Sequence, residues 1–107
     1  KNYDGRVREF FMHGTSHSIG LDVHDVGVIK PNGDDDGRLL EPGMVLTVEP
    51  GLYFPKWVET LNIDPKFAGI GIRIEDDVLI TDGDPEVLTA SCPKTVVDIE
   101  NTVGKDV

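Results

Sequence analysis

Short apolar runs separated by glycine and proline dominate the chain, a strand-rich pattern. Gly20-Leu21-Asp22-Val23-His24-Asp25-Val26 alternates apolar and polar positions and predicts a half-buried strand. Met44-Val45-Leu46-Thr47-Val48-Glu49, entered by Pro42-Gly43 and left by Pro50-Gly51, predicts a second. Residues 69–80 predict the third and longest: with a side-chain period of two, Ile70, Ile72 and Ile74 point one way and Gly71, Arg73 and Glu75 the other. Residues 1–11 read as the end of a longer helix. A short helix is expected after Thr95, which is placed as N-cap with Asp98 three residues on and Gly104 to stop it. Residues 31–37 and 55–66 read as loops, and no repeat is present.

Composition narrows the function classes. A chain of 107 residues is one small domain. With 10 basic against 20 acidic residues its formal charge is −10, which repels phosphate backbones and argues against nucleic acid or an anionic membrane as partner. No apolar run approaches the roughly 18 residues needed to span a bilayer. The single Cys92 cannot form an internal disulfide, so a reducing, cytoplasmic location is expected. The chain opens Lys1-Asn2-Tyr3 without a Met and is expected to be a piece of a longer protein.

Several familiar patterns fail on inspection. Asn32, Asp34, Asp36 and Gly37 fit the first half of a calcium loop, but its twelfth position is Gly43 instead of a bidentate carboxylate. Gly69-Ile70-Gly71 opens like a dinucleotide fingerprint, yet Ile74 stands where the third glycine belongs. Gly14-Thr15-Ser16-His17-Ser18 nearly spells a nucleophile elbow, but strand is expected after it where the elbow needs a helix. His13-Gly14-Thr15-Ser16-His17 lacks the glutamate of the zincin helix.

What stands out is that all three histidines, His13, His17 and His24, fall within 12 residues, and that Glu49 and Glu75 each end an apolar run. Two readings stay open. The histidines could be ordinary structural positions, with each glutamate on a solvent face beside Arg73 or Lys56. Alternatively, one imidazole and two carboxylates converge into an oxygen-rich site suited to Mn²⁺, Fe²⁺, Co²⁺ or Zn²⁺.

Three motifs in order, from His13-Gly14-Thr15-Ser16-His17-Ser18-Ile19-Gly20-Leu21-Asp22-Val23-His24-Asp25 through Leu40-Glu41-Pro42-Gly43-Met44-Val45-Leu46-Thr47-Val48-Glu49-Pro50-Gly51 to Gly71-Ile72-Arg73-Ile74-Glu75-Asp76-Asp77, resemble the pita-bread metallopeptidases. Within them the chain looks most like the Xaa-Pro aminopeptidase branch, with the prolidases close behind. The resemblance implies an α+β fold, a curved antiparallel sheet with flanking helices, of which residues 1–107 would be the C-terminal half of the catalytic domain. It implies two divalent ions, often manganese, with His17 and Glu49 as terminal ligands and Glu75 as a bridge. A water held between the metals would attack an Xaa-Pro bond. His24 would contact substrate and steady the tetrahedral intermediate, His13 would line the pocket for the proline side, and Arg73 would orient the carboxylates. The expected partner is a peptide with proline in second position, and the parent is expected to be a homo-oligomer.

Two aspartates that complete the family's site have no counterpart here, since Asp22 and Asp25 lie inside the histidine motif. The metal pair is therefore expected to be incomplete and the isolated chain inactive. The rivals are a dipeptidase of the prolidase type and a non-catalytic relative that keeps the fold as a peptide-binding or scaffold module. A fragment that merely dimerises through an open sheet edge is a further option.

Overall fold

The computed structural model of the protein describes residues 6–27 and 37–105. In chain order it contains helix α1 (Val7–Phe10), strands β1 (Val45–Val48), β2 (Gly51–Tyr53), β3 (Gly71–Arg73), β4 (Asp76–Leu79) and β5 (Glu86–Val87), and helix α2 (Val96–Thr102). The architecture is α+β, with antiparallel pairing throughout these strands. One sheet has the order β1-β4-β5, and β2 pairs with β3 in a second.

The two sheets share one ribbon. Val48 pairs with Asp76 and Gly51 with Arg73, so Glu49 faces Glu75 and Pro50 faces Ile74 without any slip between. The ladder is interrupted there because proline has no amide to give: Ile74 N–H donates to the Pro50 carbonyl at 3.1 Å, and the return bond cannot form. The long strand expected over residues 69–80 is thus two strands, β3 and β4, in unbroken register. The ribbon's turn end is closed by Phe54 N–H donating to the Ile70 carbonyl at 2.8 Å.

A strand over residues 20–26 does not form. The chain instead runs beside β1 a few residues earlier, where Ile19, Thr47 and Glu49 amides donate to the Val45, His17 and Thr15 carbonyls at 3.1, 3.0 and 2.9 Å. After Ser18 it bends back, with Asp25 N–H reaching the Ser18 carbonyl at 3.1 Å. Gly20 permits this: a Cβ there would lie 1.9 Å from Asp25 Oδ2. Leu21, Val23 and Val26 consequently stay exposed, and their alternation has no buried face to serve.

At the N-terminal end the described helix is Val7–Phe10, with Phe11 already extended and no side-chain cap from Arg6; residues 1–5 of the expected helix lie outside the described residues. Its Phe10 is buried against Phe54, which in turn meets Phe67, with ring centroids 5.0 and 5.4 Å apart. Within the stretch read as loop, Val58–Leu61 and Pro65–Phe67 form single 3-10 turns, and Val58 is fully buried. The acidic segment 31–36, and with it the calcium reading, lies outside the described residues.

Helix α2 starts as expected. Thr95 Oγ1 accepts from Asp98 N–H at 3.2 Å, its hydroxyl donates to the Asp98 carboxylate at 2.7 Å, and Gly104 takes the left-handed φ of 76° after the helix. Ahead of α2, the turn 89–94 is tied to β4. Thr89 and Lys94 both donate to Asp76 Oδ1, at 2.6 and 2.9 Å, and these bonds, with the Lys94 charge, hold the Asp76 carboxyl below the ordinary carboxylate range.

Candidate metal centre

Three neighbouring segments each bring one side chain to a common point. His17 comes from the segment beside β1, Glu49 from the residue after β1, and Glu75 from the residue before β4. Each offers one ligand atom, and these atoms lie within 4.8 Å of one another. Among the described residues this is the one such grouping of three histidine, cysteine or acidic side chains.

Hydrogen bonding dictates how each side chain is presented. The Ser18 carbonyl can only accept, so the 3.0 Å contact from His17 Nδ1 places a ring proton on Nδ1, and in the neutral ring the lone pair is on Nε2. That lone pair stands 3.1 Å from Glu49 Oε1. Two acceptors this close need a positive charge between them, a proton or a metal ion. Glu49 is itself buried, only 7% exposed, and its Oε1 accepts from the fully buried Thr47 hydroxyl at 3.1 Å. The same hydroxyl oxygen accepts from the His17 amide at 2.9 Å, so Thr47 fixes both groups at once.

Glu49 and Glu75 face each other across the ribbon. Backbone bonds fall on the neighbouring pairs 50/74, 44/80 and 54/70, so 49/75 is a non-bonded pair, the type in which facing Cα atoms are closer, about 4.5 Å. Like charges directly opposite are destabilising. Two carboxylates and an imidazole lone pair fit a divalent cation by donor type, number and spacing.

A second layer of contacts surrounds Glu49. Arg73 Nη1 approaches Glu49 Oε2 at 3.6 Å, and Arg73 Nε–H donates to the Tyr53 hydroxyl at 2.7 Å. That hydroxyl therefore gives its own proton to His13 Nε2, 2.8 Å away, while His13 Nδ1–H donates to the Gly14 carbonyl at 2.7 Å. Every proton in the Arg73–Tyr53–His13 chain is thereby assigned. The Tyr53 hydroxyl foremost, with attraction to Glu49 and Glu75 after it, raises the Arg73 guanidinium further above its ordinary value. Arg73 thus reaches Glu49 directly and Glu75 only through its field. His24, on the bend after Gly20, lays its ring edge against His17 with centroids 4.3 Å apart.

Sequence reasoning missed Thr47 and Tyr53. Thr47 shares a strand face with Glu49 two positions on, which the alternation of β1 contained. Tyr53 lies over two glycines, since a Cβ on Gly51 or Gly71 would come within 2.6 or 2.9 Å of its ring or hydroxyl. Gly51 and Gly71 face Arg73 and Tyr53 across β2 and β3, and that pairing of small with large was the available signal.

Comparison with known proteins gives the family and the fold. A family model for metallopeptidase family M24 matches residues 1–82. Xaa-Pro aminopeptidases of Escherichia coli and Haemophilus influenzae are 58% and 50% identical over 93 and 97 residues, covering 87% and 91% of this chain. The chain spans about a fifth of the length of each, 20% and 21%. Among solved structures, aminopeptidase P from E. coli with the inhibitor Pro-Leu superposes with a TM-score of 0.78 at 55% identity, covering 92% of this chain and 21% of that one. A zinc-substituted form of the same enzyme with product matches equally. The fold is accordingly that of the pita-bread enzymes, and the chain belongs to metallopeptidase family M24.

Proposed function

We propose that this chain forms the second half of the catalytic domain of a proline-specific metalloaminopeptidase. The observation that carries this is the convergence of His17, Glu49 and Glu75 ligand atoms within 4.8 Å. In this reading the three residues hold part of a pair of divalent ions, manganese or else cobalt, iron or zinc. When bound, the ions supply a water of lowered pKa and a Lewis acid for the scissile carbonyl.

The chain's own groups do the rest. Thr47 and Arg73 orient Glu49, and Ser18 fixes the His17 tautomer. His24, edge-on to His17, donates to the carbonyl oxygen as negative charge develops on it. His13, held by Tyr53, lines the pocket for the proline side. The inhibitor Pro-Leu bound to E. coli aminopeptidase P carries proline first, as the product left by removing Xaa from Xaa-Pro-Leu would, and this supports a peptide with proline in second position as the substrate class.

Two further features support a half-domain. Among the described apolar side chains only Phe10 and Val58 are buried. The Cα radius of gyration, 17.3 Å, exceeds the roughly 13 Å of a compact domain this long. A cytoplasmic location belongs to the same reading and is supported by the exposed free thiol of Cys92.

The test is to add manganese to the isolated chain and follow hydrolysis of Xaa-Pro dipeptides and longer Xaa-Pro peptides. The isolated chain is expected to hold no stoichiometric metal pair and to cleave nothing. Mixing it with the half that supplies two aspartates should restore cleavage, of the longer peptides if the enzyme is an aminopeptidase. Activity of the chain alone would overturn the reading that its metal site is incomplete without those aspartates, and a mixture that cleaves no Xaa-Pro peptide would overturn the assignment.

A further inference from the structure

Glu75 and Glu49 are held differently. Glu49 is gripped through its carboxylate by Thr47, His17 and Arg73. The Glu75 carboxylate accepts no hydrogen bond from any described residue, so its aim is set by its backbone. That backbone lies at the interrupted point of the ribbon, between β3 and β4.

The residues directly after Glu75 are unusually well anchored. Lys94 uses all three ammonium protons: on Asp76 Oδ1 at 2.9 Å, the Thr89 carbonyl at 2.8 Å and the Cys92 carbonyl at 3.1 Å. The Thr89 hydroxyl donates to the same Asp76 oxygen at 2.6 Å and accepts from Asp77 N–H at 3.0 Å. Asp77 carbonyl in turn receives Leu88 N–H at 2.8 Å. Asp76 and Lys94 are about three-quarters buried, exposed 27% and 25%. An isolated pair on the surface would contribute little. Here the pair closes a ring that joins the 89–94 turn to the first two residues of β4.

We propose that Lys94 is a positioning residue for the metal centre: through Asp76 and Thr89 it fixes the start of β4 and so aims the otherwise unheld Glu75 carboxylate at His17 and Glu49. The inference rests on the proposed metal reading and concerns a residue outside its ligand shell. Lys94 touches none of the three ligands; its effect travels through one peptide unit. Outer contacts that orient a ligand are typically worth 10- to 100-fold in metal affinity.

The experiment is a double-mutant cycle on zinc affinity in the full-length protein, read by calorimetry or chelator competition without any activity assay. Zinc is the probe because its high affinity keeps weakened variants measurable. Lys94→Met is expected to weaken zinc binding about tenfold or more when Glu75 is present, and less than about twofold in a Glu75→Gln background. Should Lys94→Met not fold, Thr89→Val takes its place with the same expectation, and Thr89→Ser should retain wild-type affinity. An unchanged dissociation constant for Lys94→Met, or an equal loss in both backgrounds, would show that Lys94 serves stability alone and overturn the proposal. Wild-type protein that binds no stoichiometric zinc would overturn the metal reading itself.

Discussion

Glu49 and Glu75 stand opposite each other at a non-bonded position of a single antiparallel ribbon, 26 residues apart in sequence, with Arg73 paired to Glu49 and acting on Glu75 only through its field. Without a metal ion this pair opposes the fold; with one it favours it. Glu75→Gln should therefore change sign with conditions. In chelator the variant melts higher than wild type, by the roughly 0.2–1 kcal/mol that a facing like-charge pair costs. In excess divalent metal it melts lower. Thermal melts of the full-length protein in both buffers test this, and a variant that is less stable in both would remove the case for an electrostatic conflict.

Thr47→Val should damage two contacts at once. It removes the donor to Glu49 Oε1 and leaves the His17 amide without its acceptor inside the protein. The expected loss is about 1–3 kcal/mol of stability, with weaker metal binding. Thr47→Ser, which keeps the hydroxyl, should recover most of both. Equal stability of the valine and serine variants in denaturant titrations would contradict this role.

Gly51→Ala tests the seat of Tyr53. The added Cβ would lie 2.6 Å from the Tyr53 hydroxyl, so the ring must move away from His13 and Arg73. Nitrogen chemical shifts of His13 report this directly: its fixed Nδ1–H form should give way to a mixture of tautomers. An unchanged His13 spectrum would mean the ring has room that the structure does not show.

His24→Ala should separate binding from chemistry. If His24 acts on the developing oxyanion, the variant keeps its metal while kcat falls by about 10²-fold or more. Metal analysis of the purified variant distinguishes the outcomes, because loss of metal together with activity would move His24 into the ligand set.

The parts of this molecule legible in its sequence are those decided within a few residues. β1 follows the Pro42-Gly43 turn and ends before Pro50 interrupts the ladder, and the Thr95 cap with Asp98 stands where the sequence put it. Glu49 and Glu75 stand out because carboxylates at the ends of apolar runs need a partner, and the histidines because they cluster; that His17 is the imidazole among the ligands came only with the family resemblance. What escaped depends on pairing across distance. β2 is three residues confined between Pro50 and Pro55, too short to show a period. Tyr53 acquires its meaning from Arg73, 20 residues away, and from glycines on both strands. The alternation at 20–26 misled because periodicity records the order of apolar residues and carries no information about whether a neighbouring strand is there to cover them.

The interrupted ribbon also has a kinetic meaning. If the ribbon zips from its turn, near Phe54 and Ile70, toward Val45 and Leu79, the two glutamates meet midway, before β1 and β4 have gained any pairing. At that same step Pro50 withholds a backbone bond. The outer half of the hairpin must then close against charge repulsion, so the barrier to folding sits where the chemistry is. Refolding of the full-length protein should accordingly be faster in divalent metal than in chelator, and Glu75→Gln should abolish the difference.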